Sequence, residues 1–207
     1  MTLIVSGMIG KYSILAADRK QSNLFTILIN NSFLKDITKI RLVSGVAFSG
    51  TGRASILNAI KDDFTRLINE TPQKLLIDDK IYYFNHISDF KGLNFVVTMQ
   101  LNTGVFIHKF YLQGKDSYYN HIESSSNKSE NNPYNIMVLQ PADVDIDDIL
   151  KYCIGVFSNS ENDNKEAIIQ KLKIIFETYS KASKFVSADF DVVFQSADEA
   201  STILNIK

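Results

Sequence analysis

Apolar and β-branched residues fall in short runs through the first half of the chain and in longer helical stripes towards its end. Residues 2–9, TLIVSGMI, and 12–17, YSILAA, flank Gly10-Lys11 and predict a β-hairpin at the N-terminus. FTILIN at 25–30 predicts another strand, with a turn at Asn30-Asn31-Ser32. Residues 39–50, KIRLVSGVAFSG, are two apolar runs broken at Ser44-Gly45, a second hairpin. Ser49-Gly50-Thr51-Gly52 then reads as a turn into a helix over 53–69. There Ile56, Leu57, Ile60, Phe64, Leu67 and Ile68 make one apolar stripe, and Thr71-Pro72 ends it. Residues 73–92 have no clean period. LNFVVTMQ and VFIHKFYL flank Leu101-Asn102-Thr103-Gly104, a third hairpin within 93–112. The polar stretch 114–134 reads as a loop, and NIMVLQ at 135–140 as a strand. Helices are predicted at 145–157 and 164–181, the second with its stripe at Ile168, Leu172, Ile175, Phe176 and Tyr179. FDVVFQ at 190–195 is read as the final strand. Hairpins mixed with helices and no repeat or linker make this an α+β pattern, taken as one domain over residues 1–207.

Composition narrows the function classes. Of 207 residues, 45% are apolar and 22% charged, enough to bury a core and too apolar for a disordered chain. With 22 basic against 23 acidic residues the net charge is −1, and no basic patch stands out, so nucleic acid is not the expected partner. No apolar run approaches the roughly 20 residues that span a bilayer, and no basic amphipathic helix suggests a membrane surface. The N-terminus lacks the pattern of a signal peptide, which places the protein in the cytoplasm. The one cysteine, Cys153, lies in an apolar run and reads as a buried thiol.

Candidate chemistry centres on Thr2. Removal of Met1 would leave Thr2 as the first residue, and a small second residue permits that removal. A free N-terminal Thr carries a nucleophilic hydroxyl and, in its α-amine, a base that titrates at about 7.7–8.0. Further along, Asp18 ends the second predicted strand and Lys39 precedes an apolar strand. The segment Ser49–Gly52 follows that strand with small residues.

The segments TLIVSGMIGKYSILAADRK and KIRLVSGVAFSGTGRAS resemble the start of proteasome β-subunits and of the bacterial peptidase HslV, which are N-terminal nucleophile hydrolases. The resemblance covers roughly residues 2–70, about a third of the chain. It rests on Thr2, Gly10, Asp18, Lys39 and the Ser49–Gly52 turn. It implies a four-layer αββα sandwich, two antiparallel sheets face to face with helices outside. It implies a threonine peptidase in which Thr2 is the nucleophile. Lys39 then favours the deprotonated oxygen, and Asp18 pairs with Lys39. The backbone N–H of Ser49, or of the neighbouring Gly50, donates to the oxyanion. Lys20 falls where the family often has an Arg. It further implies a peptide or unfolded protein as substrate, a homo-oligomeric ring and a possible ATP-dependent unfoldase, with no cofactor. The chain departs from the family in several places. The stretch between Asp18 and Lys39 is longer, which leaves Lys35 as a rival lysine. Segment 72–92 is short for the family's second helix. Gln140-Pro141-Ala142-Asp143 replaces Gly-Ser-Gly. Of the family's Asp–Ser pair beside the Thr amine the nearest positions are Ser180 and Ser183, with no clear Asp.

The residues taken singly admit plainer readings. Asp18-Arg19 reads as a solvated turn, Lys39 as a surface lysine and Thr51 as a helix N-cap. Asp143, Asp145, Asp147 and Asp148 lack the glycine and the twelfth-position Glu of a calcium loop and read as caps of the following helix. His86, His108 and His121 have no ligand spacing, so no metal is expected. Tyr82, Tyr83, Phe84 and Phe90 read as core or interface aromatics. Two other functions compete with the peptidase: an inactive assembly protein of the same fold, and an N-terminal nucleophile amidase acting on a small amide.

Overall fold

A computed structural model describes residues 2–20, 37–52, 62, 94–100, 106–113, 117–123 and 131–207. These build two five-stranded antiparallel sheets and two helices. The first sheet joins β1 (Ile4–Ile9), β2 (Tyr12–Asp18), β8 (Met137–Leu139), β9 (Phe190–Gln195) and β10 (Thr202–Ile206) in the order β10-β9-β2-β1-β8. The second runs in chain order through β3 (Arg41–Val43), β4 (Val46–Thr51), β5 (Asn94–Gln100), β6 (Phe106–Gln113) and β7 (Ser117–Glu123). Helix α1 spans Ile146–Val156 and α2 spans Lys165–Ala182.

The central strands of the first sheet are buried on both faces, so their runs are apolar throughout rather than alternating. One face carries Leu3, Val5, Ile9, Ile14, Val192 and Phe194 against Ile149 and Cys153 of α1 and Leu172, Ile175 and Phe176 of α2. The stripe read from the sequence of α2 is the stripe that is buried. Phe176 stacks on Phe190 with ring centroids 4.5 Å apart. The other face carries Ile4, Leu15, Ala17, Leu139 and Val193 against Ile40, Ala47 and Val96 of the second sheet. Gln195 adds a polar stitch between the sheets. Its Nε2 donates to Gly45 O at 2.6 Å and Thr98 O at 3.1 Å, and its Oε1 accepts from Ser13 Oγ at 3.0 Å.

The four-layer sandwich is thereby corrected. The described residues give two antiparallel sheets with two helices, both packed on one outer face. Of the helix predicted over 53–69 only Asp62 is described, and it is helical; the stretch 73–92 and the strand predicted at 25–30 lie outside the described residues. Three further corrections concern strands. Ser49, Gly50 and Thr51 are not a turn into a helix but the end of β4, paired with Val96, Phe95 and Asn94. The polar stretch read as a loop contains β7, which pairs along β6 from Gln113↔Ser117 to Ile107↔Glu123. FDVVFQ is followed by one more strand, β10. Ser44-Gly45 forms the predicted hairpin turn. Both residues take positive φ, 48° and 77°, as a two-residue hairpin joining Val43 and Val46 requires.

Gly7 marks where β1 and β8 close on each other. A Cβ there would lie 2.6 Å from Ile136 Cδ1 and 3.3 Å from Tyr134 O. Gly7→Val is expected to lower the unfolding free energy by about 1–3 kcal/mol through overpacking, measured by urea denaturation.

Candidate functional site

The N-terminal hairpin places Leu3 opposite Asp18. Ile4 pairs with Ala17, and Asp18 N–H donates to Leu3 O at 3.2 Å. The Asp18 carboxylate turns back across this pair. Its Oδ1 accepts from Leu3 N–H at 2.9 Å, and its Oδ2 accepts from Lys39 Nζ at 2.9 Å and from Lys20 N–H at 3.0 Å. Asp18 is 0% exposed, Lys39 6% and Thr2 4%. A buried carboxylate needs this many donors, because an unpaired charge out of water is costly. Asp18 thus ties down the peptide that follows Thr2 and holds the Lys39 ammonium.

Lys39 stands in the segment leading into β3, outside any strand. Its carbonyl accepts from the buried Ser49 hydroxyl at 3.3 Å, so β4 lies directly beside it. The pairing of β3 with β4 stops at Arg41↔Phe48, whereas β5 continues alongside to Thr51↔Asn94. Ser49 and Gly50 therefore sit on β4 beyond its last β3 partner. The alternation of β1 carries Thr2 to the same face as Ile4, towards the second sheet. The structure thus brings Asp18, Lys39 and Ser49 together and buries Thr2 at the head of the same hairpin. Lys35 lies outside the described residues.

Burial works against both charges of the central pair. It pushes the Asp18 carboxyl up from its ordinary value, opposed by the Lys39 charge and by the N–H donors of Leu3 and Lys20. It pushes the Lys39 ammonium down, opposed by Asp18 and by the more distant charge of Asp191. An ammonium held below its ordinary range is a better proton donor to a nearby oxygen than a solvated lysine.

Several residues differ from their plainer readings. Arg19 is not in a solvated turn: its side chain is 14% exposed and donates to Asp191 Oδ1 at 2.9 Å. Thr51 is a buried strand residue, the last of β4. Asp145 is the N-cap of α1, accepting from Asp147 N–H at 2.8 Å and Asp148 N–H at 3.4 Å. Asp143 does something else. Its carboxylate accepts from Ser183 Oγ at 2.6 Å and from Lys184 N–H at 3.3 Å. An Asp–Ser pair therefore exists, with the acid from the segment after β8 and the Ser from the end of α2. Residues 40 apart in the chain carry no local pattern that could have linked them. Cys153 is buried in the helix layer, and burial alone pushes its thiol up to about 12. No cluster of three or more His, Cys, Asp or Glu capable of holding a metal occurs among the described residues. His86 and the aromatics at 82–84 and 90 lie outside them. His108 and His121 fall on β6 and β7.

The same architecture occurs in solved structures. Anbu (ancestral beta-subunit) from Yersinia bercovieri matches with a TM-score of 0.66 at 14% identity, covering 99% of this chain and 87% of that one. The Anbu (Gly-1) mutant from Hyphomicrobium sp. strain MC1 matches with a TM-score of 0.64 at 12% identity, covering 100% and 87%. No family model and no curated protein matches the chain. At such identities the likeness shows the fold alone, a proteasome-like one. It also corrects the resemblance to proteasome β-subunits and HslV, since these neighbours are a distinct family. The motif shared by residues 2–70 belongs to the N-terminal hairpin and its neighbouring strands, which families of one fold can hold in common. Among the described residues no helix is long and apolar enough to cross a membrane.

Removing one partner of the central pair leaves the other charge buried and alone. Asp18→Ala is expected to cost about 3–5 kcal/mol in urea denaturation. The double variant Asp18→Asn/Lys39→Met, which buries no charge there, is expected to recover most of that loss.

Proposed function

We propose that this chain is a threonine-type peptidase of the N-terminal nucleophile class, with Thr2 as nucleophile once Met1 is removed. The observation that carries the reading is the buried Asp18 carboxylate, which binds the Leu3 amide beside Thr2 and the Lys39 ammonium together. A protein with no use for Lys39 gains little from burying it, since an apolar pair of similar volume is as stable or more so.

In this reading Thr2 Oγ attacks the carbonyl carbon of a peptide bond, and the Thr2 α-amine takes the hydroxyl proton. The positive charge of Lys39 lowers the cost of the developing alkoxide. The carbonyl oxygen becomes an oxyanion, to which the N–H of Ser49 or Gly50 donates from the end of β4 that runs past β3. The amine then passes its proton to the leaving nitrogen as the C–N bond breaks, leaving an ester on Thr2. Water hydrolyses the ester by the same proton route in reverse. Asp18 holds Lys39 and the start of β1 and exchanges no proton.

The test is the intact mass of the protein before and after exposure to a threonine-directed β-lactone. Loss of Met1 and one adduct per chain, absent from Thr2→Ala, is the expected result. A retained Met1 with no adduct overturns the reading. Thr2→Ala and Lys39→Ala are expected to lower peptide hydrolysis by more than about a thousandfold. Lys35→Ala is expected to leave it unchanged.

The acylation rate should follow a bell-shaped pH profile. Its acid limb reports the Thr2 amine, which must be neutral to accept the proton and ordinarily titrates at about 7.7–8.0. Its basic limb reports Lys39, which must be charged. Because burial lowers Lys39, activity is lost as pH rises through a value below the ordinary 10.5. Asp18→Asn removes the anion that opposes this shift, so the basic limb should move to lower pH. A basic limb unchanged in that variant would show that Lys39 does not govern it.

A further inference from the structure

Lys39 owes its ammonium position to Asp18 and its carbonyl is held by Ser49, but its backbone belongs to no strand and the segment before it needs a further anchor. The segment 37–39 is tied to Arg19. Ile37 N–H donates to Arg19 O at 3.0 Å. Arg19 N–H is held in turn by Asp189 O and Ser187 Oγ, each at 3.1 Å. These two residues precede β9, so one residue joins the end of β2, the approach to β3 and the start of β9. The Arg19 guanidinium completes the junction. Its Nη1 donates to Asp191 Oδ1 at 2.9 Å and also to Asn205 of β10. Asp191 is 0% exposed and pairs with Ala17 in the ladder beside Asp18. The Thr38 side chain and the Lys39 backbone approach the same carboxylate and favour its charged form.

We infer that the Arg19–Asp191 ion pair is the positioning device for Lys39, fixing the segment 37–39 against β9 so that the ammonium meets Asp18 beside Thr2. The inference rests on Lys39 belonging to the working site. Neither Arg19 nor Asp191 touches the substrate in this scheme; they act through Lys39. An ion pair this poorly exposed is a costly way to fill space. Here it stands where the segment 37–39, which belongs to no ladder, meets the paired strands β2 and β9.

Arg19→Met keeps the side-chain stem, removes the charge and leaves Asp191 buried without its cation. The double variant Arg19→Met/Asp191→Asn removes both charges. A purely structural role predicts that thermal stability and β-lactone acylation rate recover together in the double variant. Positioning predicts that stability largely returns while acylation stays roughly tenfold to a hundredfold below wild type, as expected for a displaced catalytic group. Wild-type acylation in the double variant would overturn the inference. Should Arg19→Met alone fail to fold, the double variant carries the test. A second readout does not depend on catalysis. Amide hydrogen exchange at Ile37 and Lys39 should quicken in the double variant while exchange along β1 and β2 stays as in wild type. Unchanged exchange at Ile37 and Lys39 would overturn the inference even if wild type proved inert to the lactone, an outcome that would by itself remove only the proposed peptidase function.

Discussion

The Asp18 carboxylate is fully buried at the end of a strand, and the arrangement around it follows from the need to satisfy that charge. Two backbone amides and one ammonium converge on its two oxygens. Each donor comes with a structural consequence. The Leu3 amide fixes the first residues of β1. The Lys20 amide turns the chain away after β2. The Lys39 ammonium brings the approach to the second sheet onto the first. A solvated carboxylate at the same position would impose none of these, because water would supply the donors.

Strand register gives this carboxylate its meaning. A slip of one residue between β1 and β2 would move Thr2, Ile4 and Ser6 to the helix face and send Leu3 and Val5 between the sheets. The apolar groups on both faces prevent it: Leu3, Val5 and Ile9 pack under the helices, while Ile4, Leu15 and Ala17 pack against the second sheet. Gln195 strengthens the same choice by holding the Ser44-Gly45 turn and β5 through two carbonyls. The candidate site is therefore held by the two cores on either side of the first sheet, and its polar groups occupy the end of the interface between sheets.

The likeness to the Anbu structures extends over nearly the whole chain at 12–14% identity. A fold is retained at such identity because burial pattern and register are less demanding than residue identity. The same tolerance explains why the motif in residues 2–70 misassigns the family, and the four-layer arrangement it implies is not what the described residues build. Thr2, Asp18 and Lys39 sit where the architecture needs a strand start, a strand end and a crossing into the second sheet.

What the chain by itself determined is whatever burial writes into short-range periodicity. The N-terminal hairpin, the Ser44-Gly45 turn, the buried stripe of α2 and the apolar strand β9 were all legible, as were the positions of Thr2, Asp18 and Lys39. Strands with a weaker apolar signature were not. The polar sequence of Ser117–Glu123 hides β7, and the exposed residues of β10, at the edge of its sheet, hide that strand. Ser49-Gly50-Thr51 looked like a turn because small residues favour turns, yet pairing with β5 draws them into a strand. Tertiary structure alone decided the partners of the charged and polar groups. Arg19 meets Asp191 across 172 residues, and Asp143 meets Ser183 across 40. Such contacts depend on which strands become neighbours, and the energy that selects those neighbours is spread over the whole core, so no local pattern records it.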